Sequence, residues 1–387
     1  MGWCTTSDLD RFAAAASGYL RSRAAENTLL LSAAQAARSG TAGWRSPGAG
    51  RPQAAGEPGL LFGWWEPPDG GEPRGAFVHD PAVPLLISGR APEMAAALVG
   101  TLVRMGRPVC GVDAPTEAAD AFAAAWSQRA GTAVRAHRTC RVYRFTGLPP
   151  QTPPQGFPAL PGTGAWVPPE IPAPAGRLRV ATAADQGLLT DWLAAFAAEA
   201  TERLGSPSAV AADLISYGGA VLWETPHKPG RFRDAPHYLA IPRHRDAAPC
   251  WEPVALATLD RPVAGTVRIS VVYTLPERRG HGYAVALTQA VSRALLDGPG
   301  PAGAAGPAGV PGVLGSVSAR GCVREVVLIT DKNRPDHWGS RFGYQLVGGR
   351  AVLRFGPATG PMPRPQSTKS MPRLPTGPLP RLPRLRH

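Results

Sequence analysis

Cysteine is scarce in this chain of 387 residues, and long apolar runs and acidic residues near its end are lacking. Its five cysteines are Cys4, Cys110, Cys140, Cys250 and Cys322. They are odd in number, far apart and without a C-x-x-C pair, which argues against both a disulfide framework and a cysteine-built zinc site. A reducing cytoplasm is the expected compartment. No apolar stretch is long enough to cross a bilayer, and no secretory leader is expected. Met1-Gly2-Trp3-Cys4-Thr5-Thr6 fits an N-myristoylation pattern, but six residues under three constraints meet that pattern by chance. No DNA- or RNA-binding motif is found, so the net charge of +13 is not read as specific nucleic-acid binding. Part of that charge sits at the end, where Arg364, Lys369, Arg373, Arg381, Arg384 and Arg386 have no acidic neighbours.

Proline and glycine, by contrast, are abundant, at 44 and 45. They punctuate the chain. Residues 148–175 hold repeated Pro-Pro pairs and are expected to form a semi-rigid linker. Residues 358–387, rich in Pro and Arg, are expected to be a disordered tail. The linker leaves one unit at 1–147 and another at 176–357. The second is interrupted by insertions near 225–251 and 298–320. The first insertion carries His227, His237 and His244, but in no compact ligand spacing, so no metal site is expected.

The most informative stretch runs from Val272 to Ala284, V-Y-T-L-P-E-R-R-G-H-G-Y-A. It reads as a strand, a basic glycine loop, then a helix. Upstream, Val267 to Tyr273 is β-branched and strand-like. Downstream, Ala284, Leu287, Val291 and Leu295 recur at helical spacing. Gly280 and Gly282 allow positive φ and a close backbone approach. A helix that starts at the loop aims unpaired N–H groups at it, which suits an anion. Arg278 and Arg279 add positive charge. A second strand, Glu325 to Thr330, leads into Asp331-Lys332-Asn333. Phe342-Gly343-Tyr344 then turns into a last strand, Ala351 to Phe355.

In this order and with this R-x-x-G-x-A loop, Arg279 to Ala284, the chain resembles the GCN5-related N-acetyltransferases over about residues 175–357. Arg177 to Asp185 resembles the family's first strand and helix start. There Thr182 and Asp185 have the spacing of a reciprocal cap, and Leu189, Trp192, Leu193 and Phe196 give a helical stripe. The resemblance implies an α/β (α+β) fold, a mixed sheet flanked by helices. It implies acetyl-CoA as co-substrate and an amine as acceptor, with direct attack on the thioester. It implies backbone contacts from Val271, Val272 and Tyr273. The pyrophosphate falls to the loop, with Arg278, Arg279, Gly280, His281, Gly282, Tyr283 and Ala284, and Asn333 lies at the cofactor arm. Many relatives carry a Tyr shortly before the Gly-Tyr turn as proton donor; here that place is Gly339. Tyr273 stands as the candidate acid or base. Lacking the usual Tyr, the chain has a second reading as a non-catalytic acyl-CoA-binding module.

The first half repeats this plan in outline. Leu60 to Glu66 parallels Ala220 to Glu224, Val83 to Ser88 stands where Val267 to Tyr273 stand, and Pro92 opens a helix to about Met105. A strand Val109 to Val112, a helix through Phe122 and Trp126, and a strand Arg141 to Phe145 follow. Gly89-Arg90-Ala91-Pro92 cannot form the two-glycine loop. The first half is therefore expected to be a degenerate acetyltransferase-like domain, with acetyl-CoA binding in the second half only. A monomer or homodimer is expected.

Overall fold

The computed structural model describes residues 2–39, 59–147, 174–200, 205–226, 250–297, 323–333 and 342–357. Most of the linker, the bulk of both insertions, Gly339 and the tail lie outside the described residues.

Local chemistry sets the elements. In the first half, strand β1 (Gly2–Thr6) runs into helix α1 (Leu9–Ser22). The Asp8 carboxylate caps that helix, accepting from the N–H groups of Asp10 at 2.8 Å and Arg11 at 3.2 Å. Helix α2 (Thr28–Ser39), strands β2 (Leu61–Glu66), β3 (Ala76–His79) and β4 (Leu85–Ile87), and helix α3 (Pro92–Arg104) follow. Strand β5 (Gly111–Pro115), helix α4 (Thr116–Ala130) and the long strand β6 (Thr132–Phe145) complete this half.

The second half repeats the order as far as β11; among the described residues no helix stands between its last two strands. Strand β7 (Arg177–Val180) leads to helices α5 (Gln186–Ala200) and α6 (Pro207–Ser216). The Thr182–Asp185 cap forms as its spacing predicts, with the Thr182 N–H donating to the Asp185 carboxylate at 2.8 Å. Strands β8 (Ala220–Pro226) and β9 (Trp251–Leu259) pair antiparallel, Thr225 against Glu252 and Pro226 against Trp251. The two sides of a hairpin interrupted by the insertion are thus paired. Strand β10 (Thr266–Thr274), helix α7 (Tyr283–Asp297), strand β11 (Glu325–Asp331) and strand β12 (Tyr344–Pro357) end the described chain.

The fold is mixed α/β with helices on a large mixed sheet. The halves do not make separate sheets. All twelve strands form one sheet in the order β1-β2-β3-β4-β5-β12-β6-β11-β10-β9-β8-β7. The order is the same read from either end, except that the last strand of each half has crossed over. β12 pairs with β5 of the first half, and β6 pairs with β11 of the second. β6 and β12 also pair with each other along their whole length.

The crossing is fixed by burial. Tyr143 and Phe145 of β6 belong to the core under α7, with Leu287, Val291 and Leu328. Ala351 and Leu353 of β12 belong to the core under α3 and α4, with Leu98, Val112 and Phe122. A buried ion pair crosses the same seam, Arg350 Nε donating to Asp113 Oδ1 at 2.9 Å. On the other face, Ser32 of α2 reaches Asp260 at 3.4 Å, and Gln35 reaches the Pro262 carbonyl at 3.4 Å.

One buried histidine gives the first half a pH dependence. His79 is fully buried, with Nε2 2.9 Å from the Pro108 carbonyl. Burial first, and then the Arg107 guanidinium, lower its pKa from 6.5 to about 4. The folded ring stays neutral where the unfolded one takes a proton. Stability from this group is complete above about pH 6.5 and is lost as pH falls toward about 4. The loss is on the order of 3 kcal/mol. Urea unfolding at a series of pH values is expected to show it, and the His79→Gln variant to show a correspondingly flatter acid limb. Equal slopes in both proteins would rule this out.

Candidate functional site

The site begins where two parallel strands part. β10 and β11 pair in register from Thr266–Glu325 to Ile269–Leu328, and no further. β10 continues to Thr274 against β9 alone, while β11 continues to Asp331 against β6 alone. A wedge opens between Val271–Thr274 on one lip and Ile329–Asp331 on the other. Main-chain groups that would have crossed between the strands lose those partners. The cause is a bulge: the register with β9 shifts between Ile269 and Val271. Asp260 anchors it, bonding the Ser270 hydroxyl and the buried Arg268 guanidinium, the latter through Nε at 2.8 Å. The Val271 N–H is turned to the Thr258 hydroxyl, 3.1 Å away.

The loop lies at the end of β10. Pro276–Arg278 make one 3-10 turn, closed by the Arg278 N–H on the Leu275 carbonyl at 2.8 Å. Gly280 and Gly282 then take φ of +80° and +81°, which an L side chain resists. A Cβ at Gly280 would meet nothing within 4 Å, and one at Gly282 only Pro174 Cδ at 3.9 Å. The loop surface is open. The first bond of α7 runs from the Ala286 N–H to the Gly282 carbonyl at 3.0 Å. The N–H groups of Tyr283, Ala284 and Val285 therefore precede any intrahelical acceptor, and Gly282 has no side chain to cap them. The His281 Nδ1 is 2.8 Å from the Arg279 carbonyl, and its ring stacks on Tyr283 at 5.8 Å.

The side chains around the loop are arranged less simply. Arg278 Nη2 donates to Glu252 at 2.8 Å. Arg279 Nη2 donates to both oxygens of Glu199 at 2.8 Å, and its Nε donates to the Thr274 carbonyl at 3.1 Å. Tyr273 is buried in the core under α5 and α6, its ring 5.9 Å from that of Trp192. Burial and then the Glu199 carboxylate raise its phenol pKa, with Arg279 opposing. Asn333 is exposed just past the end of β11, its N–H on Asp331 Oδ1 at 2.8 Å. The structure thus gathers Val271, Val272, Tyr273 and the whole 278–284 loop at one lip, and puts Asn333 beyond the other. Sequence reasoning missed Glu199, Glu252 and Thr258. Nothing in their local sequence marks them, because each matters through a partner far along the chain.

The first half has a matching but filled place. β4 and β5 are parallel over Leu85–Val112 and Leu86–Asp113. Gly89 there has φ of +92°, but a Cβ on it would stand 2.7 Å from Met94 Cε and 3.0 Å from the Arg74 carbonyl. Arg90 Nη2 closes the place, bonding the Val347 carbonyl at 2.9 Å and Glu26 at 3.0 Å. Pro at the start of α3 brings no N–H of its own. Two clefts lie away from the loop. One of about 490 Å³ is lined by Tyr19, Arg23 and Arg74; another of about 390 Å³ at the seam is lined by Thr116, Arg141 and Lys332. Neither touches residues 271–284. Among the described residues, no helix is long and apolar enough to cross a membrane.

No protein-family model matches the chain, and no curated protein matches it. Solved structures do. The chain is similar to a GCN5-related N-acetyltransferase from Sphaerobacter thermophilus, with 16% identity, 76% of this chain and 80% of that one covered, and a TM-score of 0.42. It is similar to a Drosophila structural-genomics target, with 12% identity, 92% and 98% covered, and a TM-score of 0.45. It is also similar to a tandem protein of the same acetyltransferase family from the clavulanic acid biosynthesis pathway, with 12% identity, 79% and 84% covered, and a TM-score of 0.35. The functional reading below rests on the site's own geometry.

Proposed function

We propose that this protein is an acetyl-CoA-dependent N-acetyltransferase of the GCN5-related kind, acting on a primary amine of a small molecule or peptide. One observation carries the reading: an uncapped helix start with two open, positive-φ glycines lies at the mouth of a split between parallel strands. The site fits acetyl-CoA in kind. Three free N–H groups and the positive end of the α7 dipole suit a pyrophosphate. The parted edge of β10 from Val271 to Tyr273, where the Val271 N–H is already held by Thr258, offers its remaining main-chain groups to an extended amide-bearing arm, with Asn333 across from it. When bound, acetyl-CoA supplies a thioester carbonyl open to an amine. The loop residues Gly280 to Ala284 hold the anionic end, and the β10 edge orients the arm. The first half serves as a filled, strand-sharing partner. A soluble cytoplasmic monomer or homodimer without specific nucleic-acid contacts remains part of this reading.

Tyr273 is assigned as proton donor, since burial and Glu199 hold its phenol protonated. The Tyr273→Phe variant is expected to bind acetyl-CoA normally and to lose turnover by about a hundredfold, within the range for a lost general acid. A full rate in that variant would leave Tyr273 as packing against Trp192. The buried position of Tyr273 also supports a second reading, a non-catalytic acyl-CoA-binding module. Calorimetry with acetyl-CoA and free-thiol release across a panel of amines separate the two. Binding without thiol release from any amine selects the module; no binding sinks both.

A further inference from the structure

The guanidinium of Arg279 is committed on three sides. Its Nη2 lies 2.8 Å from both Oε1 and Oε2 of Glu199, near the end of α5. Its Nε donates to the carbonyl of Thr274, at the end of β10. Its central carbon stands 5.7 Å from the centre of the Tyr273 ring. The side chain is thus folded back on β10 and α5. Arg278 is likewise turned to Glu252. The charges of both loop arginines are answered by carboxylates, so the attraction of the loop for an anion falls to its N–H groups and the helix dipole.

We propose that Glu199 is a positioning residue for the anion loop, holding Arg279 against Tyr273 and Thr274 so that the loop takes its phosphate through main-chain N–H groups. The inference rests on the acetyl-CoA reading above. The two positive-φ glycines flanking His281 make the loop soft, and a soft loop loses affinity through the entropy of ordering it. Arg279 immediately precedes Gly280. Fixing its side chain to two regular elements fixes the backbone from which the loop departs. The same contact ties α5 to the loop, and α5 packs over Tyr273 through Trp192. Glu199 therefore joins the helix pair on one face of the sheet to the anion site at its edge. An arginine that instead reached the phosphate would have to leave all three partners.

Calorimetric titration of the full chain with acetyl-CoA tests this in five proteins: wild type, Glu199→Arg, Arg279→Glu, the double charge swap, and Glu199→Gln. Each charge-reversed single variant is expected to bind roughly tenfold more weakly, and the swap to recover part of that loss, since it restores the ion pair but not the bond to the Thr274 carbonyl or the contact with the Tyr273 ring. Glu199→Gln is expected to bind roughly threefold more weakly, with its melting temperature close to wild type, as suits a half-exposed pair. A swap as weak as Arg279→Glu would place the arginine charge on the phosphate and overturn the proposal. Unchanged affinity in Glu199→Gln would overturn it too, and that variant decides the matter if the reversals do not fold. Wild-type protein that binds no acetyl-CoA would bring down the functional reading itself, an outcome distinct from a swap that fails to rescue.

Discussion

Replacing Gly282 by valine is expected to abolish measurable acetyl-CoA binding while leaving the fold intact. Gly282 has φ of +81° at the residue whose carbonyl accepts the first bond of α7. A β-branched residue there is a genuine outlier, and the strain is on the order of 1–3 kcal/mol. Its Cβ meets only Pro174, at 3.9 Å, so the folded chain has room for it. The damage is to the site. The backbone would relax out of the left-handed region and turn the N–H groups of Tyr283, Ala284 and Val285 off their common target. The branched side chain would also stand where the anion must approach. Calorimetry beside a thermal melt reads both effects. Wild-type affinity in a folded Gly282→Val protein would show that the loop is a mere turn.

The second large effect concerns the halves. Residues 1–147 and 174–387 made separately are each expected to fail to fold as stable monomers, and to recover a cooperative fold when mixed or produced together. β6 is bonded on both sides by strands of the second half. Alone, it would lose both ladders and expose Tyr143 and Phe145 from the core under α7. The second half would lose the strand between β11 and β12, and Ala351 and Leu353 would lose the core under α3 and α4. Arg350 would lose Asp113, the buried partner to which its Nε donates at 2.9 Å. Bare edges of this kind invite association, so a homodimer of the first half, with β6 in the place of β12, is the expected by-product. Size-exclusion chromatography with circular dichroism checks it. A monomeric half with a sharp melt would mean that the exchange is dispensable. Binding in one half therefore has to be tested on the whole chain, with single variants.

What was legible in the sequence follows from how local the signal is. The loop was plain because two glycines between a β-branched strand and an apolar helical stripe report a backbone need within six residues. The Thr182–Asp185 cap was legible for the same reason. The start of the first half was missed, although Asp8 before an apolar run is an ordinary cap signal. β6 was expected only from Arg141. Its earlier part, with Val134 to His137 exposed, has no buried alternation, and pairing with β12 alone extends it to Thr132. The reading of β5 starts two residues early, because Val109 and Cys110 read as strand but pairing with β12 begins at Gly111. The strand exchange has no local signature at all. A strand's inward face is written in its alternation, but the identity of its neighbour is not. For the same reason the partners of Arg278 and Arg279, on β9 and α5, could not be read from the loop.

The most direct measurement is a calorimetric titration of acetyl-CoA into the intact protein, alongside a variant in which the first half's corresponding place is altered, Gly89→Ala, and one in which the second half's loop is, Gly282→Val. One site per chain, unchanged in the first variant and lost in the second, is the expected result. Two sites per chain, or a single site that survives Gly282→Val, would contradict the placement of the anion site at residues 278–284.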